Sequence, residues 1–129
     1  MRQRTMLVTI AGVALAMAGV LAPGMAQEKA KAPDTKSSVQ GEVLDLSCYV
    51  SHDGMGEGHA GCAAKCLKGG APMGLLASDG AVYILFADHT DAAPYEKTKG
   101  YAGKKVEITG DVATKDGLKG ITVHGVKAL

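Results

Sequence analysis

Large aromatic side chains are scarce in this sequence of 129 residues, which contains no tryptophan and one phenylalanine. Proteins that bind single-stranded nucleic acids stack the bases on such side chains. Neither sign of charge dominates, because 14 basic residues stand against 13 acidic ones. Binding to phosphate backbones or to anionic membranes depends on accumulated positive charge. The composition therefore argues against a nucleic-acid partner and leaves Val, Ile, Leu and Ala to build the core.

Residues 1–26 have the three parts of a secretory signal peptide. Arg2 and Arg4 supply positive charge, an uncharged apolar run follows, and small residues precede a cleavage point after Ala26. The alternative is a membrane anchor, since the run approaches the roughly 18 to 20 residues that span a bilayer. Its Ala and Gly content and the polar segment after it favour cleavage. We expect a periplasmic or secreted protein that is not attached to the membrane after cleavage.

The remaining chain has the length of one small domain. Residues 27–38 lack periodic apolar positions, which predicts a flexible linker, and residues 39–129 are expected to form the domain. Alternating apolar residues predict a first strand from Val39 to Val50, which places Cys48 on its apolar face near the end. Two further strands are expected at residues 73–77 and 81–87, joined by a Ser-Asp-Gly turn.

The last third of the chain predicts a hairpin that turns at residues 115–117, with bulges or bends at Gly110 and Gly125. A short helix is expected around residues 93–99. Five strands in this order, with a helix between the third and fourth, match a mainly β fold, a small Greek-key barrel of the OB type. An open meander with one helix across it is the alternative. A second short helix, bearing cysteine and histidine, is predicted between strands 1 and 2, within an insertion at about residues 48–68.

All three cysteines of the chain lie close to one histidine in the pattern C-x10-H-x2-C-x3-C, formed by Cys48, His59, Cys62 and Cys66. On a helix the last three would occupy an arc of about 60° and project from one side. Three sulfurs and one imidazole complete the tetrahedral shell of zinc, and thiolates also suit Cu(I). A purely structural set of disulfides would use an even number of cysteines. The spacing therefore predicts a Cys3His metal site.

A disulfide is the main alternative to the metal. Cβ atoms four residues apart on a helix are separated by about 5 to 6 Å, whereas a disulfide needs about 3.5 to 4.5 Å, so Cys62 and Cys66 are poorly placed to pair. Cys48 could pair with either of them, which would leave one free thiol. A thiol–disulfide redox protein that uses Cys48 in this way is the rival function.

A complete Cys3His shell is typical of structural zinc, which we expect here. Copper is the alternative metal, with Met55 and Met73 as further sulfur donors and His52 as a substitute for His59. His89 and His124 are expected to be solvated and unconnected with the site. Because a fully ligated ion leaves no position for substrate, the protein is expected not to be an enzyme. Its role would then be metal handling or the binding of a periplasmic protein partner.

Four segments resemble a group of small exported bacterial proteins with an OB-like fold: GEVLDLSCY, HAGCAAKC, GGAPMGLL and GKKVEITG. The resemblance spans most of the chain after residue 26, and its most specific part is the C-x10-H-x2-C-x3-C spacing. It implies an OB-like fold and metal binding at Cys48, His59, Cys62 and Cys66. It implies no particular activity.

Overall fold

The computed structural model describes residues 36–129, which form a closed barrel of five strands within that range. The strands follow the order β1-β2-β3-β5-β4, and β4 closes the barrel against β1. Neighbouring strands are antiparallel except β3 and β5, which are parallel. This order is that of the OB barrel and confirms the predicted fold class. The bounds of the strands are Lys36–Asp45, Met73–Ala77, Val82–Ala87, Lys105–Lys115 and Leu118–Ala128.

The first strand pairs with two neighbours in turn, which closes the barrel. Residues from Lys36 to Glu42 pair with β4, and residues from Gly41 to Asp45 pair with β2. Glycine allows the backbones to approach at this crossing, since a Cβ on Gly41 would lie 2.4 Å from the carbonyl oxygen of Leu76. The strand begins at Lys36, inside the segment predicted to be a linker.

Inward-facing aliphatic side chains fill the barrel, because alternate residues of a strand point to the same face. The turn of the last hairpin falls at Asp116 and Gly117, both of which have positive φ, as the sequence indicated. The register shifts between Thr109 and Gly110, so Gly110 lies at a bulge as predicted. The core consists of Val43, Ala63, Leu67, Met73, Leu75, Leu85, Ala102, Val106, Ile108, Ile121 and Val123.

Helices occupy the two connections in which they were predicted. Between β3 and β4 lie α3 (Ala93–Thr98) and a 3-10 turn (Lys99–Tyr101). Between β1 and β2 lie α1 (Leu46–His52), a 3-10 turn (Glu57–His59) and α2 (Ala60–Lys68). The first connection therefore holds two helices where the sequence predicted one.

The predicted signal peptide at residues 1–26 and the linker up to residue 35 lie outside the described residues. Within residues 36–129, no helix combines the length and apolar character needed to span a membrane.

Candidate metal centre

Cys48 lies on helix α1, and the prediction that it lies on a strand is wrong. The first strand ends at Asp45, whose side chain accepts a hydrogen bond from the backbone N–H of Ser47 at 2.9 Å. This is an N-cap, which satisfies an N–H group that the first helical turn leaves free. The chain therefore changes from strand to helix before Cys48, and its thiol projects from α1 towards the second helix.

A glycine-rich loop then folds back over α1. Asp53 ends the helix in the left-handed conformation, with φ 54°, and its N–H bonds to the carbonyl groups of Cys48 and Tyr49. The backbone N–H of Gly54 donates to the Cys48 carbonyl at 3.2 Å. The loop is also attached to the barrel, because the N–H of Gly56 donates to the carboxylate of Glu42 on β1.

The loop brings two histidines together. The rings of His52 and His59 lie edge to face, with centroids 5.6 Å apart. The sequence pattern predicted that His59 lies on the same helix as Cys62 and Cys66. His59 instead precedes the first residue of α2 as its N-cap. Its ring lies against the loop, since a Cβ on Gly54 would be 2.8 Å from His59 Nε2. The imidazole therefore faces α1 from the loop side.

Helix α2 presents the other two cysteines. Ala63 and Leu67 are buried in the barrel core and fix the orientation of the helix. On the same helix Cys62 is exposed, while Cys66 is half-buried. Apolar packing thus holds α2 against the barrel and leaves one thiol of the helix open to solvent.

The donor atoms form two groups that share the Cys48 sulfur. In one group the sulfurs of Cys48, Cys62 and Cys66 lie within 4.8 Å of one another. In the other, the Cys48 sulfur and one nitrogen each of His52 and His59 lie within the same distance. All four predicted ligands therefore belong to the cluster, with His59 in the second group. His52, which the sequence suggested only as a substitute for His59, is a full member.

Asp45 is a neighbour of the cluster that the sequence analysis missed, because its carboxylate lies next to the thiols of Cys48 and Cys66. Its side chain is fully buried, and Oδ2 has no hydrogen-bond partner of good geometry among the described residues. Burial acts to raise the pKa of Asp45, but weak hydrogen bonds from Cys48 and Cys66 and the N–H of Ser47 outweigh it, so the pKa is lowered. Asp45 immediately precedes the helix and is an ordinary N-cap residue type, a signal that was available in the sequence.

The carboxylate in turn opposes deprotonation of the neighbouring thiols when no cation is present. Its hydrogen bond to Cys48, together with burial, raises the pKa of that thiol to about 12. The same two causes raise the pKa of Cys66. Because metal binding requires the thiolate, a cation at this position would replace the thiol protons and compensate the carboxylate charge.

His59 Nε2 is a second buried polar atom without a hydrogen-bond partner within residues 36–129. Burial of such a group is costly unless something binds it. Cysteine sulfur, histidine nitrogen and carboxylate oxygen are all zinc ligands. The donor set and its two unsatisfied atoms therefore fit a metal ion.

Two histidines lie away from this cluster. His89 follows β3 in a polar bend. His124 was predicted to be solvated, but its imidazole contacts two carboxylates. Its Nε2 lies 3.2 Å from Asp88 Oδ2 and 3.3 Å from Asp111 Oδ2. It is the residue that the β4–β5 register skips, so the bulge turns its side chain towards these carboxylates.

Comparison of the chain with protein-family models, with curated proteins and with solved structures found no match. The class of site therefore rests on its own geometry. It is a cysteine–histidine cluster able to bind a metal ion, carried in the β1–β2 connection of a five-stranded OB-like barrel.

Proposed function

We propose that this protein is an exported, non-enzymatic metal-binding protein that holds zinc through Cys48, Cys62 and Cys66, with His59 as fourth donor. The observation that carries the proposal is the convergence of three thiol sulfurs within 4.8 Å of one another, one of which, that of Cys48, also lies within 4.8 Å of a ring nitrogen of His59. The Nε2 atom of His59 is buried and has no hydrogen-bond partner in the described part of the chain. Zinc accepts such sulfur and nitrogen donors in tetrahedral geometry. The signal-like pattern at residues 1–26 supports export.

Metal handling is the role that the position of the site favours over a purely structural one. Leu67 and Ala63 already pack α2 into the core, so the helix has support that does not depend on an ion. Cys62 and His52 are exposed, which gives an incoming ligand access to the bound ion. An ion bound here would join α1 to α2 and still be available for exchange.

Copper is the second candidate, and one observation favours it. Met55 lies in the glycine-rich loop between α1 and the 3-10 turn with 45% of its surface exposed, and its thioether is a donor of the kind that a soft ion such as Cu(I) accepts. Met73 cannot take this part in the present fold, because it is buried in the barrel core. The candidate copper donors are thereby reduced to the three thiols, the two imidazoles and Met55.

The redox alternative uses the same sulfurs. Cys48 lies near both Cys62 and Cys66, and a disulfide with either would remove two of the three sulfurs from the metal site. Metal loading and disulfide exchange at Cys48 therefore exclude each other. The two proposals differ in how the thiols respond to a chelator.

Elemental analysis of the protein purified from its native exported fraction tests the proposal. We expect bound zinc, and we expect three thiols that become reactive only after treatment with a chelator. His89→Ala, which changes a histidine outside the cluster, should keep the metal, whereas Cys62→Ser should weaken its retention. Metal-free protein with one free thiol that is insensitive to chelator would contradict the proposal and favour the disulfide.

A further inference from the structure

The donor atoms in the cluster outnumber the positions of one tetrahedral ion. Five cysteine and histidine side chains converge, and the buried carboxylate of Asp45 lies beside two of the thiols. A single ion bound by the three cysteines and His59 would leave Asp45 Oδ2 and the His52 imidazole without a role. The division of the donors into two groups suggests a different use of them.

We propose that the cluster binds two metal ions that share the Cys48 thiolate. The proposal rests on the proposed function, because both ions belong to the same site. One ion would take Cys48, Cys62 and Cys66, with Asp45 as its oxygen donor. The other would take Cys48, His52 and His59 and keep a fourth position for water or an exogenous ligand. His59 would then serve the second ion and not complete the shell of the first.

Asp45 supports the first half of this arrangement. The residue is fully buried, and its Oδ2 lacks a well-formed hydrogen bond from any described group. Thiols are weak donors, and those of Cys48 and Cys66 would lose their protons to bind an ion. The loaded site would then hold a buried carboxylate next to thiolates, which is costly unless a cation contacts it directly. Carboxylate oxygen is an accepted zinc ligand.

The two histidines support the second half. A nitrogen from each lies within 4.8 Å of the Cys48 sulfur and of the other nitrogen, which is close enough for the three atoms to bind one ion. His59 Nε2 is buried without a partner in the described part of the chain, while His52 is exposed. An ion held here would satisfy His59 and remain accessible from the solvent side. Cys48 is the donor that the two groups have in common.

Metal stoichiometry tests the proposal directly. The reduced, metal-free protein is titrated with zinc, and in parallel with Cu(I), and the bound ions are counted by native mass spectrometry. We expect two ions per chain at saturation. One ion in the wild-type protein would overturn the shared arrangement while leaving the proposed function intact, and no bound ion would overturn both.

Variants identify the donors of each ion. His52→Ala combined with His59→Ala should retain one ion, and Cys62→Ser combined with Cys66→Ser should also retain one. The control His89→Ala should retain two. Two ions in the double histidine variant would contradict the proposal, because the second ion would then lie elsewhere.

Cys48→Ser examines the bridge itself. We expect the affinity for both ions to fall, since this is the shared donor, and loss of affinity for one ion alone would overturn the sharing. Far-UV circular dichroism establishes that each variant is folded. The number of ions bound by the wild-type protein tests whether the cluster holds two ions without any substitution. That test therefore remains valid even where a variant does not fold.

Discussion

Replacement of Leu67 by alanine distinguishes two ways in which helix α2 can be held in place, by packing in the core and by binding of the metal. Leu67 lies on α2 with 0% of its surface exposed, among buried side chains of the barrel. Removing a buried leucine side chain in this way costs about 2 to 5 kcal/mol, from lost burial and from the cavity left behind. Small domains are stable by about 5 to 15 kcal/mol. Leu67→Ala should therefore remove a large fraction of the stability even without metal.

Urea unfolding of the metal-free protein, followed by far-UV circular dichroism, measures this loss. Leu118→Ala is the matched control, because it makes the same change at a side chain that is 58% exposed. Its effect should lie within about 0.5 kcal/mol of zero. Cys66→Ser should leave the metal-free stability close to that of the wild type and reduce the stabilisation that added zinc provides.

Equal stabilities of Leu67→Ala and Leu118→Ala in the metal-free state would refute this reasoning. That result would mean that α2 is not packed on the barrel without an ion, and that ligation alone positions it. The site would then be a structural zinc site of the kind that the sequence first suggested. A large loss in both loaded and metal-free protein would instead confirm that the helix is fixed before the metal arrives.

Two further predictions concern the loop over the site and the bend that follows β3. Gly54→Ala should weaken zinc retention in competition with a chelator, because its Cβ would lie 2.8 Å from His59 Nε2 and 2.9 Å from Cys48 Cβ. Gly58→Ala, whose Cβ would meet nothing within 4 Å, should bind as the wild type does, and equal losses in both variants would contradict this account. Hydrogen bonds from Thr90 lower the pKa of Asp88 from 3.8 to about 2. A carboxylate with a lowered pKa stabilises the fold above about pH 4 and loses this contribution as the pH falls towards 2, so Asp88→Asn should flatten that part of the unfolding profile. An unchanged profile would show that the carboxylate is not held by these bonds.

The barrel was predictable because its signals are local and repeated. Alternating aliphatic residues marked the strands, and Asp116-Gly117 marked the last turn with residues that accept positive φ. Gly110 marked the bulge, where a Cβ would lie 2.1 Å from the carbonyl oxygen of Thr122. Glycine and aspartate mark such turns and bulges in the sequence itself, even where, as at Gly110, the close contact comes from the neighbouring strand.

The start of α1 was missed because two sequence signals compete there, the alternation of a strand and the N-cap of a helix. Leu46, Cys48 and Val50 continue the alternation of the strand, and this pattern outweighed the N-cap signal of Asp45. Val50 is in fact 81% exposed on the helix, so the alternation did not report burial at that point. The same error hid the contact of Asp45 with Cys48, since on a continuous strand the two side chains would point to opposite faces. Contact between the two helices depends on tertiary packing, which the spacing of ligands does not reveal.

The donors of the cluster come from one short segment of the chain, which limits the part that the barrel plays in the site. All five cysteine and histidine donors lie in the connection between β1 and β2, and Asp45 beside them is the last residue of β1, so the rest of the barrel supplies no donor to the cluster. It supplies fixed positions: Leu67 holds α2 in the core, and Glu42 holds the loop through Gly56. Metal exchange needs donors that return to the same geometry after the ion leaves. A connection fixed on both sides by packing and hydrogen bonds meets that need, whereas a loop organised only by its metal would lose the arrangement with each release.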